Sequence, residues 1–311
     1  MHLFEHTTET LKSIQIYPSK VRIEPNDKMA RSLFNWDDVS YDALMQGAKG
    51  NIVEKKNHRK HGEIKTPIKL GNATGYGNGD PLTEFDRAVL SVCISEFAVG
   101  NAYTTPAIIF RALVGKVGEG DEGVRPMKNQ AEAIYKSIDK LMFTKFDADA
   151  TESFEQLKYT NGDEIKIKKS SLLPAYIVDA KINGQELKDI IFFDRESPIF
   201  TLSNLKNQII RYDTSLLDVP NQNNTPRIIT VKNYVMRRLC EIKLHKMTPT
   251  ITFDDVFKKC RMEDTSRDVK LDARNAVIKL FEHLQNKDFI KSFDLKKADS
   301  GNKFYGFLLT F

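Results

Sequence analysis

The strongest constraint on this chain is a pattern that occurs twice along it. Near Thr83, and again near Pro226, a long amphipathic helical stretch is followed by a short capped helix, a second long helix and a run of β-type residues that can turn back. A helix with one apolar stripe must bury that stripe against something. Helices and a hairpin in this order can cover one another and close a small core. With 311 residues, the chain is long enough for two or three such cores.

The first copy opens on Thr83-Glu84-Phe85-Asp86. This spacing predicts a capping box, in which the Thr83 hydroxyl takes the third backbone N–H and Asp86 reaches back to the first. Phe85, Ala88, Val89, Val92, Cys93 and Phe97 then recur at helical spacing. Thr104-Thr105-Pro106 restarts a helix, with proline where its missing N–H costs nothing. Ile108, Ile109, Ala112 and Leu113 give it a buried face, and the glycine-rich stretch from Val117 to Gly123 is expected to stop it. A third helix is expected from Met127 to Met142, burying Ala131, Ile134, Ile138 and Leu141. Beyond it, Leu172–Ile182 and Glu186–Phe193 flank Asn183-Gly184. That dipeptide favours the positive φ angles of a two-residue hairpin turn.

The second copy repeats the order. A helix is expected from Arg227 to Lys246, with Val231, Val235, Leu239 and Ile242 inward. Thr252-Phe253-Asp254-Asp255 is a second capping box, opening a short helix to about Cys260. A helix from Arg267 to Gln285 follows, with Ala273, Val277, Leu280, Phe281 and Leu284 on its apolar face. Phe289–Phe293 and Phe304–Phe311 read as strands joined at Asp299-Ser300-Gly301-Asn302.

Helix, short helix, helix and hairpin is the order of the winged helix-turn-helix, whose third helix presents side chains to a DNA groove. The expected fold class is therefore α+β, with two winged helix-turn-helix domains in tandem, the first with an enlarged β-sheet. The expected boundaries are an N-terminal extension over 1–80, a first domain over 81–217, a linker over 218–226 and a second domain over 227–311. Pro220-Asn221-Gln222-Asn223-Asn224 gives the linker its turn-forming character. In the extension, Ile14–Ile23 reads as a strand and Lys28–Phe34 as a short helix. Lys55–His61 is a basic run, and Gly71–Gly79 is glycine-rich. A solvated loop and a phosphate-contacting arm both fit that basic run.

Charge bears on the partner. Residues 226–311 hold 18 Lys or Arg against 11 Asp or Glu, while the other 225 residues hold 29 against 31. The basic excess thus lies wholly in the second copy. Neutralising phosphates supplies most nucleic-acid affinity, so this copy is the better candidate for the main DNA contact. No run approaches the roughly 18 apolar residues of a membrane span. The start, Met1-His2-Leu3-Phe4-Glu5-His6, lacks a basic segment followed by an apolar one, so a cytoplasmic location is expected. Cys93, Cys240 and Cys260 are odd in number and lack metal-like spacing, which predicts reduced thiols.

Catalytic motifs fail on chemistry. Gly118-Glu119-Gly120-Asp121-Glu122-Gly123 spells a dinucleotide fingerprint, but it follows a helix and carries three carboxylates where phosphates would sit. A phosphate-binding G-x-x-x-x-G-K-[ST] loop is missing. Asp254-Asp255 is occupied in capping and Glu263-Asp264 lies in a turn. No catalytic residue, metal or cofactor is expected.

The segment Leu82-Thr83-Glu84-Phe85-Asp86-Arg87-Ala88-Val89-Leu90-Ser91, and the part from Tyr234-Val235-Met236-Arg237-Arg238-Leu239 through Phe289-Ile290, resemble the two winged helices of iteron-binding plasmid replication initiators, also found on mobile elements. The resemblance covers residues 81–311 as architecture. It implies that the second domain reads repeated origin sites in the major groove of double-stranded DNA. It also implies that the first contacts DNA and supports dimerisation, and that host replication proteins are recruited. A winged-helix transcriptional regulator of a mobile element is the alternative, and a nuclease or recombinase is a more distant third. The candidate DNA contacts are Arg267, Lys270, Arg274, Asn275 and Lys279 on the later third helix, and Lys128, Asn129, Lys136 and Lys140 on the earlier one.

Overall fold

The computed structural model describes residues 32–36, 82–149, 166–182, 185–197, 200, 209–245, 247–297 and 304–311. The chain is mixed α+β with small sheets. Helix α1 (Glu84–Ala98) leads to a two-residue strand β2 (Tyr103–Thr104), then α2 (Pro106–Val114) and α3 (Lys128–Phe143). Strands β3 (Lys145–Asp149), β4 (Lys166–Ser171), β5 (Ala175–Ile182), β6 (Gln185–Phe193) and β7 (Ile209–Asp213) follow. Then come α4 (Pro226–His245), β8 (Thr250–Thr252), α5 (Phe253–Lys259), α6 (Arg267–Asn286), β9 (Ser292–Lys297) and β10 (Phe304–Thr310).

The local signals account for most of these elements. Thr83 Oγ1 accepts the Asp86 N–H at 3.2 Å, and the Asp86 carboxylate accepts the Thr83 N–H at 2.7 Å. Thr105 caps α2 through the Ile108 N–H. Thr252 caps α5 through the Asp255 N–H, while Asp255 accepts the Thr252 hydroxyl instead of its backbone N–H. Helix α2 ends at Gly115, before the glycine-rich stretch expected to stop it. Gly115 adopts φ +85°, and a Cβ there would fall 2.3 Å from the Asp218 N. Glycine is therefore required both for the left-handed cap and for the close passage of residues 217–218.

The two copies share one sheet order. Strand β2 pairs β6, which pairs β5, all antiparallel; likewise β8 pairs β10, which pairs β9. In each unit the strand between the first and second helices lies beside the last strand of the hairpin. Strand β5 meets β6 with Ile182 opposite Gln185, leaving two residues for the turn. The first unit adds a β3–β4 pair between its third helix and its hairpin. Strand β1 (Ser32–Trp36) pairs with β7. This corrects one expectation, because Ser32–Phe34 are strand where the end of a helix was expected. Pairing with a partner some 180 residues away, from Ser32↔Asp213 to Trp36↔Ile209, overrides the weak local helical pattern. The expected elements over Ile14–Ile23 and Lys28–Arg31, the basic run, the glycine-rich stretch and the turns at Asn183-Gly184 and 299–302 lie outside the described residues.

One apolar core runs through both units, from Leu82 and Val89 through Ile134, Leu141, Val235 and Leu239 to Leu280 and Phe307. Helix α4 is its axis. From Ile228 to Ile242 every residue is buried except the half-buried Arg238. Its charged residues pair across the junction. Arg237 bonds Glu241 at 2.7 Å and reaches Glu84 of α1 at 3.3 Å, with each side chain at most 7% exposed. Asn233 Nδ2 donates to the Leu113 carbonyl at 3.1 Å, and the Arg261 guanidinium to the Leu82 carbonyl at 2.8 Å. The fully buried Lys232 donates to the Leu217 carbonyl at 2.9 Å. Burial lowers its pKa to about 7, partly opposed by nearby Asp218. Segment 218–226 is itself packed. Asp218 pairs with Lys116 at 2.8 Å, Val219 is buried, and Gln130 of α3 donates to the Asn224 carbonyl at 2.6 Å.

Candidate nucleic-acid interface

Helix α6 is the center of the candidate surface. Ser266 caps it, and Ala273, Ala276, Val277, Leu280, Phe281 and Leu284 bury one stripe. That stripe fixes which residues face out. Arg267, Asn275 and Lys279 are exposed. So are Asp268, Asp272 and Glu282 on the same side, three carboxylates that attention to the cations alone passes over. The steps of three and four residues along Asp268, Asp272, Asn275, Lys279 and Glu282 were a readable signal that they share one face.

Lys270 and Arg274 sit elsewhere on the helix. They are half-buried on its α5 side, Arg274 5.2 Å over the Phe253 ring and Lys270 5.7 Å over Phe257. Lys270 also donates to the Glu263 carbonyl at 2.6 Å. A cation over a ring face is held there by the ring quadrupole. Lys258 and Lys259 lie in the last turn of α5, and Arg261 follows in a left-handed turn at φ 54°. Lys296 and Lys297 stand on the last hairpin. Five of the second unit's seven net positive charges fall within residues 226–246, which hold six Lys or Arg against one Asp or Glu and include the buried Lys232 and Arg237.

Asp272, Asn275, Lys279 and Glu282 of α6 form one wall of a cleft of about 590 Å³. Asn221, Gln222 and Asn223 of the packed segment, with Arg227 at the start of α4, form the other. Ile228, Ala276 and Ile278 line its floor. Sequence reasoning missed this wall, since its residues were read as a tether. The run of four amides was the signal available.

The earlier third helix is presented differently. Lys128 is 91% exposed and only 3.9 Å from Glu132, a surface pair of little energetic weight. Asn129 and Lys136 are exposed. Lys140 is turned inward, 18% exposed and 3.3 Å from the buried Asp86 carboxylate. It is the counter-charge of the α1 cap. Just before α3, Glu119, Asp121 and Glu122 form an acidic loop, with Asp121 accepting the Gly118 N–H at 3.0 Å. Near the start of α3, Gln130 donates to the Asn224 carbonyl, next in sequence to the cleft-lining Asn223 and Thr225.

Burial pushes the Cys240 thiol up to about 12 and raises Cys93 and Cys260 further. All three are held protonated, and a thiol is a poor nucleophile. Among the described residues, no cluster of His, Cys, Asp or Glu has the makings of a metal site, and no helix is long and apolar enough to cross a membrane.

No protein-family model, curated protein or solved structure matches this chain.

Proposed function

We propose that this chain is a sequence-specific double-stranded DNA-binding protein built from two winged helix-turn-helix units, and that it acts as a replication initiator of the plasmid or mobile-element kind. The observation that carries the reading is the repeated architecture. Helix, strand, two helices and hairpin occur twice with the same sheet order, each time with an exposed third helix. In that arrangement the third helix is the element shaped for a major groove about 12 Å wide.

The mixed ridge of α6 suits base reading more than phosphate binding. Arginine and lysine pair with guanine, asparagine with adenine, and a carboxylate accepts from the cytosine amino group. The acids Asp268, Asp272 and Glu282 repel phosphates, so the proposal assigns phosphate contact to Lys270 and Arg274 on the α5 side, to Lys258 and Lys259 at the end of α5, and to Lys296 and Lys297 on the hairpin. The first unit adds Lys128, Asn129 and Lys136. Self-association through the first unit's sheet and recruitment of host replication proteins belong to the same proposal.

Selecting duplexes from a random pool with the full-length chain tests it. An enriched asymmetric site of about two helical turns supports the initiator, and direct repeats of it in the DNA flanking the gene strengthen that case. A palindromic site in a promoter supports the transcriptional regulator instead. No enrichment overturns both.

A further inference from the structure

The packed segment Asn221–Asn224 has the chemistry of a DNA-reading element, not of a tether. We propose that it reads the minor groove at A·T pairs beside the major-groove segment occupied by α6. This rests on the DNA-binding reading above and adds a second contact to it.

Three observations carry it. The segment is held rigidly: Asn221 sits at φ 53°, the Asn224 carbonyl accepts from Gln130, and Thr225 caps α4 through the Ile228 N–H at 3.3 Å. Its side chains are unspent. Among the described residues, Asn221, Gln222, Asn223 and Arg227 have no hydrogen-bond or ion-pair partner. Gln222 Oε1 and Asn224 Oδ1 are buried without hydrogen-bond partners. Finally, the segment faces the ridge of α6 across the cleft, opposite Asn275 and Lys279 and the carboxylates Asp272 and Glu282.

The chemistry selects the groove. The chain has no carboxylate between Asp218 and Glu241, so nothing on this wall repels DNA. The wall carries one cation, Arg227, with neutral amides beside it, so it is suited to base edges more than to phosphates. In the minor groove an A·T pair shows only acceptors, adenine N3 and thymine O2, which amide N–H groups can meet. A G·C pair adds the guanine amino group, a donor that blocks such an amide. A segment flanking a helix in the major groove is placed to reach the neighboring minor groove, as the arms of other helix-turn-helix proteins do.

The test uses the full-length chain and a 30-base-pair duplex enriched by it from a random pool. Each A·T pair is replaced in turn by G·C and by inosine·cytosine, which looks like G·C in the major groove but lacks the minor-groove amino group. At the pairs read by the segment, G·C should cost about fivefold or more in affinity while inosine·cytosine costs little. The Gln222→Ala/Asn223→Ala variant should lose that difference and keep the wild-type melting temperature, since neither side chain has a partner to lose. If the variant keeps wild-type affinity and A·T preference, or if no position distinguishes the two replacements, the proposal is overturned while the DNA reading stands. If nothing is enriched from the pool, both fall.

Discussion

The two third helices show what burial leaves for function. Helix α3 carries four candidate contacts, but one of them, Lys140, is drawn inward to balance Asp86, and an acidic loop precedes the helix. Helix α6 keeps all five of its candidates in reach of the surface, two of them braced on aromatic rings. On the DNA-binding proposal, the same architecture gives the first helix a positioning role and the second a base-reading one. The difference lies in a few side chains and not in the fold. Yet the two halves share α4 and one core, so they cannot be ranked by cutting the chain between them. A fragment starting near residue 221 would expose the α1-facing side of α4 and leave Arg237 without Glu84.

The largest expected effect tests that shared junction. Glu84→Ala removes a carboxylate from the buried Arg237, and should cost about 3–5 kcal/mol of stability in urea unfolding. Both units should unfold in one transition. Two separate transitions, or a loss below about 1 kcal/mol, would show that the halves are independent bodies.

Next is the pH dependence set by Lys232. Its folded pKa, about 7, lies below the ordinary 10.5, so between these values the unfolded chain binds the proton that the folded chain has lost. Stability should therefore rise with pH across that window, by an amount on the order of 2–4 kcal/mol. Lys232→Met should flatten the rise when melting is followed from pH 6 to 10. An equal rise in the variant would contradict the assignment.

Arg274→Ala is expected to matter less for folding and more for recognition. It removes a guanidinium held over Phe253, and should relax base preference at one position by about 1–3 kcal/mol in a binding titration. Unchanged affinity and specificity would remove Arg274 from the interface.

The smallest effects compare the two helices directly. Lys128→Ala and Arg267→Ala should each reduce the slope of log affinity against log salt by about one. Lys140→Ala should leave the slope unchanged and lower stability instead. A loss of slope for Lys140 would mean that its pairing with Asp86 yields to DNA.

Much of this was legible because it is local. The Thr83–Asp86 box, the Thr105-Pro106 start and the apolar stripe of α6 all lie within one or two helical turns. What failed to read depends on closure between distant residues. Helix α6 runs one residue longer, to Asn286, and Asp288 turns left-handed at φ 53°. Phe289 and Ile290 then donate back to the Leu284 carbonyl, so the strand expected at Phe289 begins at Ser292. The Arg237–Glu84 pair joins residues 153 apart, a distance at which no spacing rule operates. Within the candidate site the cations were legible from the helical period. The cleft wall at Asn221–Asn223 was not, because only the packing of segment 218–226 against α3 and α6 makes it a surface.

The central claim is that both third helices meet one DNA site from a single rigid body. Hydroxyl-radical footprinting of the full-length chain on its enriched duplex tests this most directly. Protection of two backbone segments about one helical turn apart on one face of the duplex is the result the account predicts. Protection of a single segment, unchanged when Lys128, Asn129 and Lys136 are all replaced by alanine, would contradict it.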